Sequence, residues 1–334
     1  MTLLLLFLVL FFLLIAGAPI AVALGVSSLV FILIDGLPPV VVLHNMVNGI
    51  NSFPLIAVPF FIMAGNLMNT AGITTRIFAF ASAAMGWMHG GLGHVNVGAS
   101  VIFAGMSGAA VADAGGLGNI EIKAMRDAGY DVDFSVGITA ASSTIGPIIP
   151  PSLPLVVYGV VADTSIGKLF AAGLIPGLIM ALSLMAMVAF FAKIRNYPRD
   201  ERFILRNFLY TFWHAILPLF TPMIIVGGIL FGIFTPTEAA IAAVAYSMFL
   251  GIVVYRTLDL KRILRVSMDT VDITASIMMI VAASAIFAWI LTAEQVAQHF
   301  ASGLLSFTDN KTAVLLIIML VVLVVGCFME TIAA

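Results

Sequence analysis

Residues 142–152 read Ser-Ser-Thr-Ile-Gly-Pro-Ile-Ile-Pro-Pro-Ser, with apolar segments on both sides. Pro147, Pro150 and Pro151 supply no N–H, and each frees a backbone carbonyl one turn earlier. A bare carbonyl in lipid is costly, so such a break must be buried in protein or line a wet cavity. The freed carbonyls around Gly146, with the hydroxyls of Ser142, Ser143, Thr144 and Ser152, are hard oxygen ligands. They suit Na⁺, which needs no formal negative charge. The half-helix after the break starts near Ser152, and its positive dipole end suits a carboxylate. A single membrane proline is ordinarily a kink satisfied by neighbouring helices. Three prolines and four hydroxyls in eleven residues favour a binding site.

A second stretch, "GMSGAAVADAGG" (105–116), combines small residues with two polar groups, Ser107 and Asp113. Small residues permit a tight turn and close backbone approach, and they also let helices pack closely. Ser107, Gly108, Ala109 and Ala110 read as site-lining. Asp113 is ionisable at membrane depth, which is a functional hypothesis by default. Here an N-terminal cap on the segment after the turn is favoured over a ligand. "GCFMET" (326–331) occupies a matching place later in the chain. Aligning Gly105 with Gly326 sets Glu330 against Ala109, and the same two readings apply. Gly326, Met329 and Thr331 are the other candidates there. Asn66, in "MAGNLMN", reads as a helix–helix hydrogen bond in preference to a substrate contact. "TPTE" (235–238) is a helix start, with Pro236 and Glu238 in the first turn.

Other chemistry finds little support. His44, His89, His94, His214 and His299 lie near span ends or in amphipathic segments, without Cys or carboxylates at metal spacing. No Walker-type phosphate loop is present, which argues against ATP hydrolysis within the chain. The lone Cys327 has no internal disulfide partner. The 18 methionines read as ordinary membrane packing.

These segments need a membrane around them. The 334 residues are 62% hydrophobic and only 9% charged, against about 25% charged in a soluble domain. Apolar runs long enough to cross a bilayer make the chain an all-α polytopic membrane protein. The 14 Lys and Arg are too few and scattered for a nucleic-acid surface. Residues 1–35 lack the basic start of a signal peptide and read as two short spans broken at Gly17-Ala18-Pro19. An interfacial helix is expected over 37–51 and a span over 54–70. An amphipathic helix follows over 73–87, then a hairpin over about 91–128. The broken helix spans about 133–163 and a long span 169–193. Spans near 215–233 and 238–255 follow, then an amphipathic segment at 258–270, a span at 272–292, an amphipathic helix at 294–307 and an apolar segment from 312.

The second half repeats the order of the first, with an offset of about 220 residues. The domains are therefore a first repeat (1–192), a basic linker (193–210) and a second repeat (211–334). The repeat length and the apolar end at 334 lead to the expectation that about 100 residues of the second repeat lie outside this sequence. With the basic 193–206 loop placed in the cytoplasm, twelve of the fourteen Lys and Arg fall inside, and only Lys168 and Lys311 outside. The same threading opens the two hairpins to opposite sides. Inverted repeats with interrupted, re-entrant helices are an architecture of secondary transporters.

The motifs "FAGMSGAAVADAGGLG", "MRDAGYD", "SSTIGPIIPPSLPLVVYG" and "SIGKLFAAGLIPG", with "APIAVALG" near the start and "TPTEA", resemble the large membrane subunit of TRAP (tripartite ATP-independent periplasmic) transporters. The resemblance runs over essentially the whole chain. It implies an elevator-type, Na⁺-driven importer of an organic acid such as a C4-dicarboxylate, sialic acid or another sugar acid. It also implies a bacterial inner-membrane location, a small four-helix membrane subunit and a periplasmic binding protein. Membrane lipid surrounds the subunit, and no organic cofactor is expected. On this sequence the ion and substrate region falls on Ser107–Ala110 and Ser142–Ser152, with Na⁺ near Ser107, Ser143, Thr144 and Gly146. Two rivals differ in class. An intramembrane serine protease could use Ser107 in its Gly-x-Ser-Gly setting, but no later span holds a deep histidine base. A passive channel or scaffold subunit would not need inverted hairpins.

Overall fold

The computed structural model describes residues 2–108, 110–198, 203–307 and 310–326. Ala109, Met329, Glu330 and Thr331, named above as candidates, lie outside them, as does the Ser107 side chain. Every regular element is helical among the described residues. The chain divides into two compact units, residues 1–52 with 275–334, and residues 53–274.

The first unit begins with α1 (Thr2–Ile15), α2 (Ile20–Ile34) and α3 (Val40–Ile50). Gly17, at φ +82°, and Pro19 separate α1 from α2 as the sequence predicts. The second unit contains α4 (Ala57–Thr70), preceded by a 3₁₀ turn, α5 (Ile73–Met85), α6 (Gly91–Ser107), α7 (Ala110–Gly116) and α8 (Gly118–Asp127). It continues through α9 (Val132–Ser143), α10 (Leu153–Val161), α11 (Ile166–Arg195) and α12 (Leu205–Pro222). A π-helical turn at Met223–Gly227 joins α12 to α13 (Gly228–Leu230), and α14 (Pro236–Phe249) runs into a second at Leu250–Val254. Helix α15 (Leu260–Ala293) leads out of this unit, and α16 (Val296–Phe307) and α17 (Lys311–Gly326) belong to the first.

Helix ends follow the local chemistry. Thr235 and Glu238 close a reciprocal capping box at the start of α14, with Pro236 in the first turn, so "TPTE" is structural. Asn196 ends α11 in the left-handed conformation. One expectation fails. Residues 258–292 were expected as an amphipathic segment followed by a separate span, but they form one helix, α15. The change in composition near Asp272 brings no Gly or Pro between 260 and 293, so nothing interrupts the backbone ladder.

Among the described residues, five helical stretches are long and apolar enough to cross a membrane: Phe53–Thr70, Ile166–Arg195, Leu205–Leu230, Pro236–Val254 and Leu260–Ala293. Large apolar side chains face outward along them, as with Ile175, Leu182 and Phe190 of α11. Asn96, Glu121, Ser135 and Ser142 are buried instead. Apolar outside and polar inside is the pattern of a protein solvated by lipid. The chain is a multi-pass membrane protein.

In the second unit, α6 and the α7–α8 arm form a helical hairpin. Asn96, early in α6, hydrogen-bonds Glu121 in α8 across it. At the far end of α9, Asp131 accepts hydrogen bonds from Arg195 Nη1 and Tyr197 Oη, both at 2.7 Å. The Tyr197 hydroxyl, then the guanidinium, hold the Asp131 carboxyl below the usual carboxylate range. Tyr197 also stacks on Tyr130 at 4.5 Å, so this cluster pins the start of α9 to the end of α11.

Candidate functional site

The hairpin turn seats on the proline break. Helix α6 ends at Gly108, which adopts φ +63°. A Cβ there would stand 2.5 Å from the Pro151 carbonyl oxygen. Only glycine meets both the left-handed backbone and that approach at low cost. Leu153 N donates to the Gly108 carbonyl at 3.3 Å, tying the turn to the first residue of α10. On the other side of the break, a Cβ on Gly173 of α11 would stand 2.4 Å from the Ile148 carbonyl oxygen. The break is thus held between the hairpin and α11, inside protein.

Residues 144–152 leave the helix between α9 and α10, as the prolines predict. The Pro150–Pro151 peptide bond is cis. The fate of the freed carbonyls is more specific than the sequence suggests. Gly146 N recaptures the Ser143 carbonyl at 3.1 Å, and the Ser152 hydroxyl donates to that of Pro147. Ser152 also caps α10 by accepting from Leu155 N at 3.3 Å. Its oxygen is committed to local structure. The Gly146 carbonyl receives no hydrogen bond among the described residues.

Below the break lies a buried polar network. Asn96 Nδ2 donates to Glu121 Oε2 at 2.8 Å and to Thr139 Oγ1 at 2.7 Å. Ser142 Oγ donates to Asn96 Oδ1 at 2.6 Å, and Ser100 Oγ donates to Ser142 at 3.1 Å. Ser143 Oγ donates to the Thr139 carbonyl at 2.8 Å. Thr144 is exposed and donates to the Ala141 carbonyl. Asn96, Ser100, Ser142 and Ser152 have no exposed surface. Asn96 ties α6, α8 and α9 together. Sequence reading missed it, with Ser100, Glu121 and Thr139. The signal was present: Asn96–Ser100 and Ser135–Thr139–Ser143 repeat polar residues at four-residue spacing, a buried polar stripe on each helix.

The structure brings together Gly108, Ser142, Ser143, Gly146, Pro147, Pro150, Pro151 and Ser152, while Ala110 begins α7 beside them. Two expectations are corrected. Asp113 sits in the first turn of α7, and no backbone N–H donates to its carboxylate among the described residues, so it is no cap. Asn66 is half-buried on α4, and its side chain makes no hydrogen bond to a neighbouring helix among the described residues. Gly326 closes α17 in the first unit and is exposed. Beside the break is a cavity of about 810 Å³ bordered by Gly105, Ile149, Pro150, Leu178, Pro222 and Phe231. Its walls are almost wholly apolar, a poor match for an acid group.

Oxygen-rich walls at the break fit a hard monovalent cation: the Gly146 carbonyl is unclaimed, and Ser142 and Ser143 keep acceptor lone pairs. Ser143 and Gly146 would hold it, with backbone from the hairpin turn.

Comparison with known proteins gives one consistent result. The family described as "Tripartite ATP-independent periplasmic transporter, DctM component" matches residues 7–334. The sialic acid TRAP transporter large permease protein SiaM of Vibrio cholerae is 48% identical over 322 residues, 96% of this chain and 75% of that protein. The sialic acid TRAP transporter permease protein SiaT of Haemophilus influenzae is 47% identical over 87% of this chain, which spans about half (47%) of SiaT. The C4-dicarboxylate TRAP transporter large permease protein DctM of Pseudomonas aeruginosa is 38% identical over 83% of this chain and 65% of its own length.

Proposed function

The chain belongs to the DctM-component family of tripartite ATP-independent periplasmic transporters, and we propose that it is the large membrane subunit of a Na⁺-coupled importer of an organic acid. Proteins of this family are transport proteins and not enzymes, so no catalytic role attaches to Ser107. Sialic acid is the first substrate to test, because SiaM and SiaT carry that name. C4-dicarboxylates and other sugar acids come next, given the DctM relative. The partners are a periplasmic binding protein that delivers the acid and a small four-helix membrane subunit. The location is the bacterial inner membrane.

The seating of Gly108 on Pro151 and Leu153 is the observation that carries this reading. A hairpin turn locked onto an unwound segment places backbone carbonyls, hydroxyls and a half-helix start in one buried locus. Na⁺ supplies positive charge there when bound. Ser143, Gly146 and the backbone of Ser107 hold the ion. The start of α10 favours the substrate carboxylate through its free N–H groups and dipole. A mobile body that holds the two hairpins, one from each inverted repeat, carries the site across the membrane while the other helices serve as scaffold.

Vesicles containing the transporter, its small subunit and the binding protein test this directly. Uptake of labelled sialic acid should require an inward Na⁺ gradient and the loaded binding protein. Uptake indifferent to Na⁺ would refute the coupling. Flux in both directions without the binding protein would mark a passive channel.

A further inference from the structure

Helix α15 is longer than a membrane span needs. Its 34 residues measure about 51 Å at 1.5 Å per residue, against a hydrocarbon core of about 30 Å. Lys261, Arg262, Arg265 and Asp269 all lie near its beginning, so the excess length falls there. The charge threading puts that end in the cytoplasm. The first turns of α15 therefore stand in the cytoplasmic headgroup layer.

Two stripes run along these turns. Leu260, Leu264 and Met268 repeat every four residues on one face and are 73%, 58% and 63% exposed. Lys261 and Arg265 run alongside them and are exposed too. Lys261 is in the first turn, where the helix dipole disfavours a cation, so it does not serve the helix itself. Arg256, in the linker before α15, is also exposed. It adopts a left-handed φ of +52° just past the cap of the preceding π-helical turn, a position that glycine or asparagine ordinarily fills. None of these three cations makes an ion pair among the described residues.

The neighbouring cations are committed to the protein. Arg262 Nη1 donates to the Thr257 carbonyl at 2.5 Å, and the Arg76 guanidinium lies 3.8 Å over the Tyr255 ring. Thr257 Oγ1 donates to the Ala71 carbonyl at 3.2 Å. These contacts tie the linker to the α4–α5 turn and leave Arg256, Lys261 and Arg265 available.

Unpaired cations beside an exposed apolar stripe, at headgroup depth, fit a lipid with a negative head. We propose that the head of α15 is a docking site for an anionic phospholipid of the cytoplasmic leaflet. Lys261 and Arg265, with Arg256, meet the phosphate, and acyl chains cover Leu260, Leu264 and Met268. A soluble anion would match the cations but leave the apolar stripe in water. Because the linker is tied to Ala71 and Arg76, docking also holds the α4–α5 turn at the membrane surface. The site is independent of Na⁺ coupling and of which acid is carried.

The test uses the intact transporter with its small subunit in nanodiscs. One set is phosphatidylcholine alone, the other an equimolar mixture with phosphatidylglycerol, and the melting temperature is read in both. Phosphatidylglycerol should raise it for wild type. Lys261→Gln/Arg265→Gln should lose more than half of that gain, whereas Lys261→Arg/Arg265→Lys should keep it. Lys123→Gln/Arg126→Gln, at exposed positions of α8, removes the same charge and should also keep it. Leu264→Ser/Met268→Ser should reduce the gain with the cations in place. Equal losses in the two Gln pairs would reduce the effect to overall charge and overturn the site. A wild type indifferent to phosphatidylglycerol would do the same. So would inorganic phosphate, if it reproduces the gain in phosphatidylcholine discs. If Lys261→Gln/Arg265→Gln does not fold, Arg256→Gln decides: a partial loss supports the site, and an unchanged gain refutes it.

Discussion

Two proline-bearing regions of this protein end differently. In α12, Pro218 and Pro222 stand four residues apart, and the helix runs through both, relaxing into a π-helical turn at Met223–Gly227 before continuing. In the segment between α9 and α10, Pro147, Pro150 and Pro151 end the helix for nine residues. Proline alone does not explain this, since α11 also passes through Pro176 unbroken. The adjacent pair does. A residue before proline is pushed out of the helical region, and Pro150–Pro151 imposes this on Ile149 and Pro150 in succession. In α12 the affected residues, Leu217 and Thr221, are separated and each is rescued by helical neighbours. The break is then stabilised by parts that α12 lacks: a serine cap, a glycine turn seated from outside, and a close approach from α11.

The seat is where the contrast is most easily destroyed. Gly108→Ala adds a Cβ 2.5 Å from a backbone oxygen at a left-handed φ. Strain of this kind costs about 1–3 kcal/mol. We expect Na⁺-driven uptake in vesicles to fall by about tenfold or more, in line with 1.4 kcal/mol per decade, with membrane insertion retained. Wild-type uptake from this variant would show that the hairpin turn need not touch the break.

The next effect compares the prolines themselves. Pro150→Ala/Pro151→Ala restores two N–H donors to the unwound segment. Helix can then extend, and the N–H restored at position 150 can capture the Gly146 carbonyl, which is unclaimed. The Na⁺ midpoint of uptake should rise severalfold without loss of insertion. Pro218→Ala should leave that midpoint unchanged, because α12 is already helical there. Equal behaviour of the two variants would reduce the break to a kink.

A smaller effect isolates the cap. Ser152→Ala removes the acceptor for Leu155 N and the donor to the Pro147 carbonyl. Loss of an N-cap costs about 1 kcal/mol. Amide hydrogen exchange over the first turn of α10 should quicken several-fold, while exchange in α11 stays unchanged.

Much of this region was legible because proline and glycine act locally. The break, a turn among the small residues of 105–116 and a half-helix start near Ser152 could be placed from residue type alone. The polar network was not, although its spacing was in plain view. Asn96 and Glu121 are far apart in sequence and meet only once the hairpin closes. Asp113 was misjudged for a related reason. Its carboxylate looked like a cap for a nearby helix start, but the helix begins three residues earlier and turns Asp113 inward. Helix α15 fails the other way: composition changed along it, and backbone chemistry did not.

The smallest effect lies at the opposite end of α9, where the helix is pinned and not released. Asp131 accepts from Tyr197 and Arg195, and its carboxyl is held below its ordinary value. A carboxylate depressed in the folded state contributes stability that is complete above its unfolded value of about 3.9. That contribution disappears as pH falls through the lower folded value. The group is exposed, so solvent screening keeps the effect modest. Asp131→Asn should therefore lower the melting temperature slightly and equally across neutral pH. The gap to wild type should close only below about pH 4. Na⁺ dependence should be unaffected, because this anchor holds the helix at the end away from the break. A shifted Na⁺ midpoint would mean instead that α9 transmits strain along its whole length, and the pinned and released ends would have to be treated as one element.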